Sequence, residues 1–214
     1  MKILQKFGGF AALYMAITHL IGIVIFLVVM DYASITDPVQ KVALNVDKQI
    51  IVFSTNLLMY VFFGFALISL TLALCDRLKS GAPALMQVAA VIGIIWAGSL
   101  IASGMVANAG LATIIPLFAK DPAQAALTWQ GIEAVTSGLG NANGEILGGT
   151  FTLLVSLAAL RSGGLHKALN ILGLVVGGVG IITIIPVLTA FVGIFGIGQI
   201  VWFVWLGIVL LQLH

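Results

Sequence analysis

Long apolar runs, broken by short polar interruptions, fill most of this 214-residue chain. An amphipathic surface helix keeps one polar face, whereas these runs stay apolar all round, as a membrane span does. About 20 such residues, at a 1.5 Å rise each, are needed to cross about 30 Å of hydrocarbon. Six segments reach that length, at about 8–30, 50–75, 84–107, 140–160, 167–186 and 191–213. The pattern predicts an all-α polytopic membrane protein, with residues 1–214 forming a single six-helix transmembrane domain. Transmembrane β-strands would alternate apolar and polar positions, and these runs do not. The run Phe7 to Met30 exceeds a signal-peptide core, and no small-x-small cleavage site follows promptly, so a retained first span is expected.

Two interruptions carry helical patterns of their own. Thr36-Asp37-Pro38 combines a capping residue with proline at the first helical position, and Val39, Val42 and Val46 follow at helical spacing. Asp121-Pro122 opens a second such segment, with Trp129, Ile132, Val135 and Leu139 along one face. Both predict short external amphipathic helices at the membrane interface or capping the bundle. Asp37 and Asp121 stand at the same offset as Arg77 and Arg161, which suggests a duplicated unit of span, external helix, span. Asp-Pro is also a good helix opener and Arg a good inner anchor, so the spacing has a local explanation too.

Composition sharpens this picture. Hydrophobic residues make up 61% of the chain and charged residues 7%, against about 25% charged in a soluble domain. A water-facing surface of ordinary charge density is therefore out of reach. The net charge of +2 is too small to argue for a nucleic-acid partner. Cys75 is alone, which excludes an intramolecular disulfide and a cysteine-based metal site. Lys2, Lys6, Arg77, Lys79, Arg161 and Lys167 fall on one side of the predicted topology, and Lys41, Lys48 and Lys120 on the other. The positive-inside rule then puts both termini in the cytoplasm.

Glu145 is the one charged side chain that falls well inside a predicted span. An ionised carboxylate there costs about 2.5–3.5 kcal/mol on insertion scales, so it should face the bundle interior. Asn141, Glu145, Gly149, Thr152 and Ser156 form one stripe, beside a ridge of Gly140, Gly144 and Gly148. His19, Asn56, Tyr60, Ser103 and Gln199 stand at compatible depths in other spans. Together with Asn141 and Glu145 they make a candidate ligand-binding set in the outer half of the bundle. Each also has a plainer explanation, since Ser and Thr bond back to their own helix and Asn and Gln link helices.

Several chemistries lack their residues. His166 and His214 lie at the cytoplasmic edge and His19 is mid-span, which disfavours bis-histidine haem. No intramembrane lysine could carry a retinal Schiff base, and no zinc motif or phosphate loop occurs. The pattern names no cofactor.

The segments GGFAALYMAITHLIGIV, DPVQKVALNVDKQ running into IVFSTNLLMYVFFGFAL, and SGGLHKALNILGLVVGG carry a family likeness. The chain resembles a family of bacterial six-span integral membrane proteins known as a domain of unknown function. That resemblance implies a six-span fold in a bacterial cytoplasmic membrane and no particular reaction. Three functional readings stay open. The chain binds a small molecule, lipid or lipophilic cofactor in the outer-half pocket, in a transport-related role. Alternatively it is an accessory subunit of a larger membrane complex, packing through the glycine faces of its fourth and fifth spans, Gly173, Gly177 and Gly180 among them. The third is an intramembrane enzyme with Glu145 as acid and base.

Overall fold

The computed structural model describes residues 2–32, 34–140 and 145–212. Among them every regular element is helical: α1 (Lys2–Val24), α2 (Pro38–Asp47), α3 (Gln49–Asn56), α4 (Phe63–Leu78), α5 (Pro83–Phe118), α6 (Pro122–Leu139), α7 (Ile146–Ser162), α8 (Lys167–Ile182) and α9 (Val192–Gln212). π-helical turns extend α1 over Ile25–Val29 and join α3 to α4 over Leu57–Phe62, and a 3-10 turn, Pro186–Phe191, leads into α9. Four stretches are long and apolar enough to cross a membrane: Ile3–Val29, Gln49–Leu78, Pro83–Phe118 and Pro186–Gln212. The apolar helices α7 and α8 are shorter, at 17 and 16 residues.

These helices close a ring. α1 packs against α4 and α9, α4 against α5, α5 against α7, α7 against α8, and α8 against α9. The ring encloses Met15, Phe63, Leu67, Phe151, Trp202, Phe203 and Leu206. Its outer surface is apolar too, with Phe10, Val28, Val91, Val175 and Ile197 exposed. A protein interior on one side and an apolar solvent on the other would produce that distribution.

The two Asp-Pro segments form helices as expected. Asp37 accepts a hydrogen bond from Val39 N (2.9 Å), and Asp121 accepts one from Gln124 N (3.0 Å). Pro follows each cap, where its missing N–H costs nothing. α2 and α6 pack on each other and on α5. Between them lies a second cluster of Met30, Val42, Val52, Leu111, Ile114, Ala125, Ala126 and Trp129. The buried face of α6 differs from the expected one: Trp129 is buried, but Val135 is exposed.

At the opposite end the ring is tied by its polar connections. Gln5 Nε2 donates to Ala73 O (2.9 Å), and Arg77 Nε donates to Gly164 O (2.9 Å). The start of α1 and the loops after α4 and α7 therefore share one end of the bundle. α7 ends at Gly163, whose φ of +67° is a left-handed cap that suits glycine.

The tightest crossing joins α7 and α8. A Cβ on Gly177 would sit 2.7 Å from both Gly149 O and Leu153 N, and a Cβ on Gly149 would sit 2.7 Å from Ile181 N. The two backbones touch, as small-residue helix pairs allow.

One helix boundary changes the setting of Glu145. The fourth apolar helix begins at Ile146, and Glu145 is its N-cap residue. The expected span from Gly140 placed this carboxylate more than a turn inside a helix. Gly140 instead ends α6 as its C-cap residue. Asn141 and Gly144, counted in the stripe and the ridge, lie outside the described residues. At a helix start, the N–H groups of the first turn favour a negative charge, so the carboxylate costs less than it would mid-helix.

Candidate functional site

Two chambers lie end to end inside the bundle. The inner one has a volume of about 230 Å³. His19 reaches it from α1, Met59 and Tyr60 from the π-helical turn, and Phe63 from α4. Thr18 of α1, Trp96 and Leu100 of α5, Gly140, Glu145, and Phe195 and Gln199 of α9 complete the wall. Gly148 clears space beside it, since a Cβ there would come within 2.9 Å of Trp96.

The polar groups of this chamber differ in how free they are. His19 Nδ1 lies 3.1 Å from Met15 O. A carbonyl can only accept, so Nδ1 carries the hydrogen, and Nε2 has no bond among the described residues. The imidazole stands edge-on to Phe63, with ring centroids 5.1 Å apart. Glu145 donates its backbone N–H to Thr183 Oγ1 (2.9 Å), and Thr183 Oγ1 donates to Gly180 O (2.6 Å). These bonds pin the start of α7 onto α8. The Glu145 carboxylate has no hydrogen bond or ion pair among the described residues. Gln199 is fully buried and committed: its Nε2 donates to Thr152 Oγ1 (3.0 Å), and Thr152 Oγ1 donates to its Oε1 (3.1 Å).

The outer chamber, about 140 Å³, lies beneath α2 and α6. Phe26, Tyr32, Asn45, Asn56, Tyr60, Ser103, Trp129, Glu133, Thr136, Ser137 and Gly140 are among its lining residues. The Tyr32 hydroxyl organises its far wall. It accepts from Asn45 Nδ2 (3.2 Å) and Trp129 Nε1 (3.3 Å), and it donates to Glu133 Oε1 (3.3 Å). That uses one donor and two acceptor sites, the full capacity of a phenol. Burial pushes this hydroxyl above its ordinary pKa; the Asn45 and Trp129 bonds oppose the shift and Glu133 adds to it.

The seven residues read from the sequence thus divide. His19, Tyr60, Glu145 and Gln199 line the inner chamber, and Asn56, Tyr60 and Ser103 line the outer one. Tyr60 belongs to both. Asn56 Nδ2 donates to Asn108 Oδ1 (2.9 Å), and Ser103 Oγ donates to Thr136 O (2.8 Å). Both tie helices together at the chamber wall. Asn141 lies outside the described residues. His19 and Glu145 share a chamber without a direct bond.

Tyr32, Asn45, Trp129 and Glu133 as a group were not expected. Glu133 reads as a loop charge by composition, yet it stands one turn beyond Trp129 on α6, and that spacing alone puts it on the buried face. Asn45 follows the buried Val42 by three residues in the same way. Tyr32 lies outside any helix and carries no such signal.

No family model, curated protein or solved structure matches the chain.

Proposed function

We propose that the chain is a six-span integral protein of a bacterial cytoplasmic membrane whose inner chamber holds a small lipophilic molecule. Its apolar body rests between Phe63, Trp96 and Phe195, and its polar group meets Glu145 and the free Nε2 of His19. The observation that carries this reading is the chamber itself: about 230 Å³, with Tyr60, Phe63, Trp96 and Phe195 in its wall and a carboxylate that no described residue pairs. A dry apolar cavity of about 150 Å³ accepts benzene, so this volume suits one or two fused rings. Binding rather than catalysis is favoured because, among the described residues, Glu145 has no second acid–base group within bonding distance. The glycines that suggested an accessory subunit are occupied within the chain, since Gly173 and Gly177 face α7.

Six spans with both termini inside account for the apolar outer belt and for the basic residues at the end of the bundle opposite α2 and α6. In this arrangement α2 and α6 lie at the external interface, and a chamber that ends beneath them suits uptake or release on that side.

Native mass spectrometry from mild detergent tests the reading on wild type, Glu145→Gln and Glu145→Leu. A retained ligand should appear in wild type and be lost in both variants while thermal stability holds in Glu145→Gln. Unchanged ligand retention in a folded Glu145→Leu variant overturns it.

A further inference from the structure

Neighbouring cavities share wall residues all the way from the protein surface to Glu145. A shallow depression on α6 is lined by Gln130, Glu133, Ala134 and Ser137. Glu133 and Ser137 also line the outer chamber. Tyr60 and Gly140 line the outer and the inner chamber alike. Each step from surface to interior is therefore a single shared wall.

The acidic and strongly basic side chains that line this series are of one kind, both carboxyls. Glu133 stands at its mouth and Glu145 at its inner end, and among the described residues no lysine or arginine lines the depression or either chamber. Between the two carboxylates the walls present Phe26, Trp129 and Tyr60, then Phe63, Trp96 and Phe195. Carboxylates set among aromatic faces attract cations, through charge and through the ring quadrupole. The chain already does this with its own side chain: Lys41 Nζ lies 5.2 Å from the centre of the Tyr32 ring, beside the outer chamber. Lys41 and Glu133 meet in a side pocket but form no ion pair.

Tyr60, shared by both chambers, is set on an unusual piece of backbone. Tyr60 stands in the π-helical turn Leu57–Phe62, and Tyr14 Oη donates to Leu58 O in that turn (2.9 Å). π-turns inside helices recur at functional sites, because one extra residue per turn displaces side chains from their α-helical positions.

We propose that the α6 depression and the two chambers form one access route for an organic cation with an apolar body, drawn in by Glu133 and admitted past Tyr60 to Glu145. The proposal rests on the inner chamber being a ligand site, and it names the chemical class that site takes.

The test uses benzyltrimethylammonium and the neutral N,N-dimethylbenzamide, which have the same number of heavy atoms. Affinities come from titration calorimetry on the intact protein in detergent, and rates from stopped-flow fluorescence, since Trp129 and Trp96 report on the outer and inner chambers. The cation should bind about ten-fold or more tighter than the amide, the scale of a desolvated cation–π contact. Glu133→Gln keeps an acceptor for Tyr32 and should slow association several-fold with loss of its salt dependence. Glu145→Gln should instead speed dissociation. Equal affinity for the two probes overturns the cation class and leaves the chamber reading standing. Binding of neither probe overturns both. Tight cation binding with an unchanged association rate in Glu133→Gln overturns the route along α6.

Discussion

Replacing Gly177 with alanine tests the contact on which the α7–α8 half of the ring depends. The new Cβ would stand 2.7 Å from Gly149 O and 2.7 Å from Leu153 N. Ordinary carbon contacts need about 3.5–4.0 Å, so roughly 1 Å must be recovered. Both obstacles are backbone atoms, and no rotamer change removes them. The helices must part instead, and parting would loosen Gly149 against Ile181 and Gly173 against Ser156. Overpacking of this kind costs about 1–3 kcal/mol, and a backbone obstacle belongs at the upper end. Alanine's better helix propensity returns up to about 1 kcal/mol, which leaves a net loss near 2 kcal/mol. Gly178 supplies the control, because a Cβ there meets nothing within 4 Å. Gly178→Ala carries the same propensity gain one residue along the same helix, so the difference between the variants isolates the crossing. That difference should be about 3 kcal/mol in reversible unfolding by sodium dodecyl sulfate from mixed micelles, followed by tryptophan fluorescence. Equal stability of the two variants would refute a backbone-to-backbone crossing at Gly177.

Three further outcomes follow from particular side chains. Tyr32→Phe removes the acceptor for Asn45 and Trp129 and the donor to Glu133, and it should cost about 1–3 kcal/mol in the same unfolding assay; a variant as stable as wild type would show that water replaces all three bonds. Gln199→Leu strands the buried Thr152 hydroxyl and should cost a similar ~1–3 kcal/mol, while adding Thr152→Val should restore part of the loss; strictly additive losses in the double variant would deny the pair. In a Cys75→Ala background, cysteine at Asp37 or Gln124 should react with an impermeant thiol reagent on intact cells and cysteine at Ser80 should not; the reverse pattern would invert the proposed orientation.

Much of this architecture is legible without coordinates, because its causes are local. The apolar runs mark the long helices, since a helix satisfies its own backbone away from water and only a run of that length and purity spares its side chains the cost of leaving it. Asp37-Pro38 and Asp121-Pro122 announce α2 and α6 because capping needs only a side-chain oxygen two or three residues before the N–H it accepts from. The break before Ile146 was not legible: Gly140 through Gly144 can serve a packed helix or end one, and hydropathy treats both alike.

The chamber residues show the same division. Glu145, His19, Gln199 and Tyr60 could be picked out by type and depth, because a polar group among apolar neighbours is conspicuous in one dimension. Which of them would meet could not be, since that depends on the rotation and register of each helix against its neighbours. Gln199 found Thr152 and closed on it, Asn56 found Asn108, and Glu145 and His19 were left facing a shared space. Residue order therefore determined the helices, their caps and the polar inventory of the interior. Tertiary packing alone decided the closing of the ring, the joining of Tyr32 to Glu133, and the split of one expected pocket into two chambers at Tyr60. The reason is that hydrophobicity and capping act over a few consecutive residues, whereas side-chain pairing is set by contacts between segments far apart in the chain.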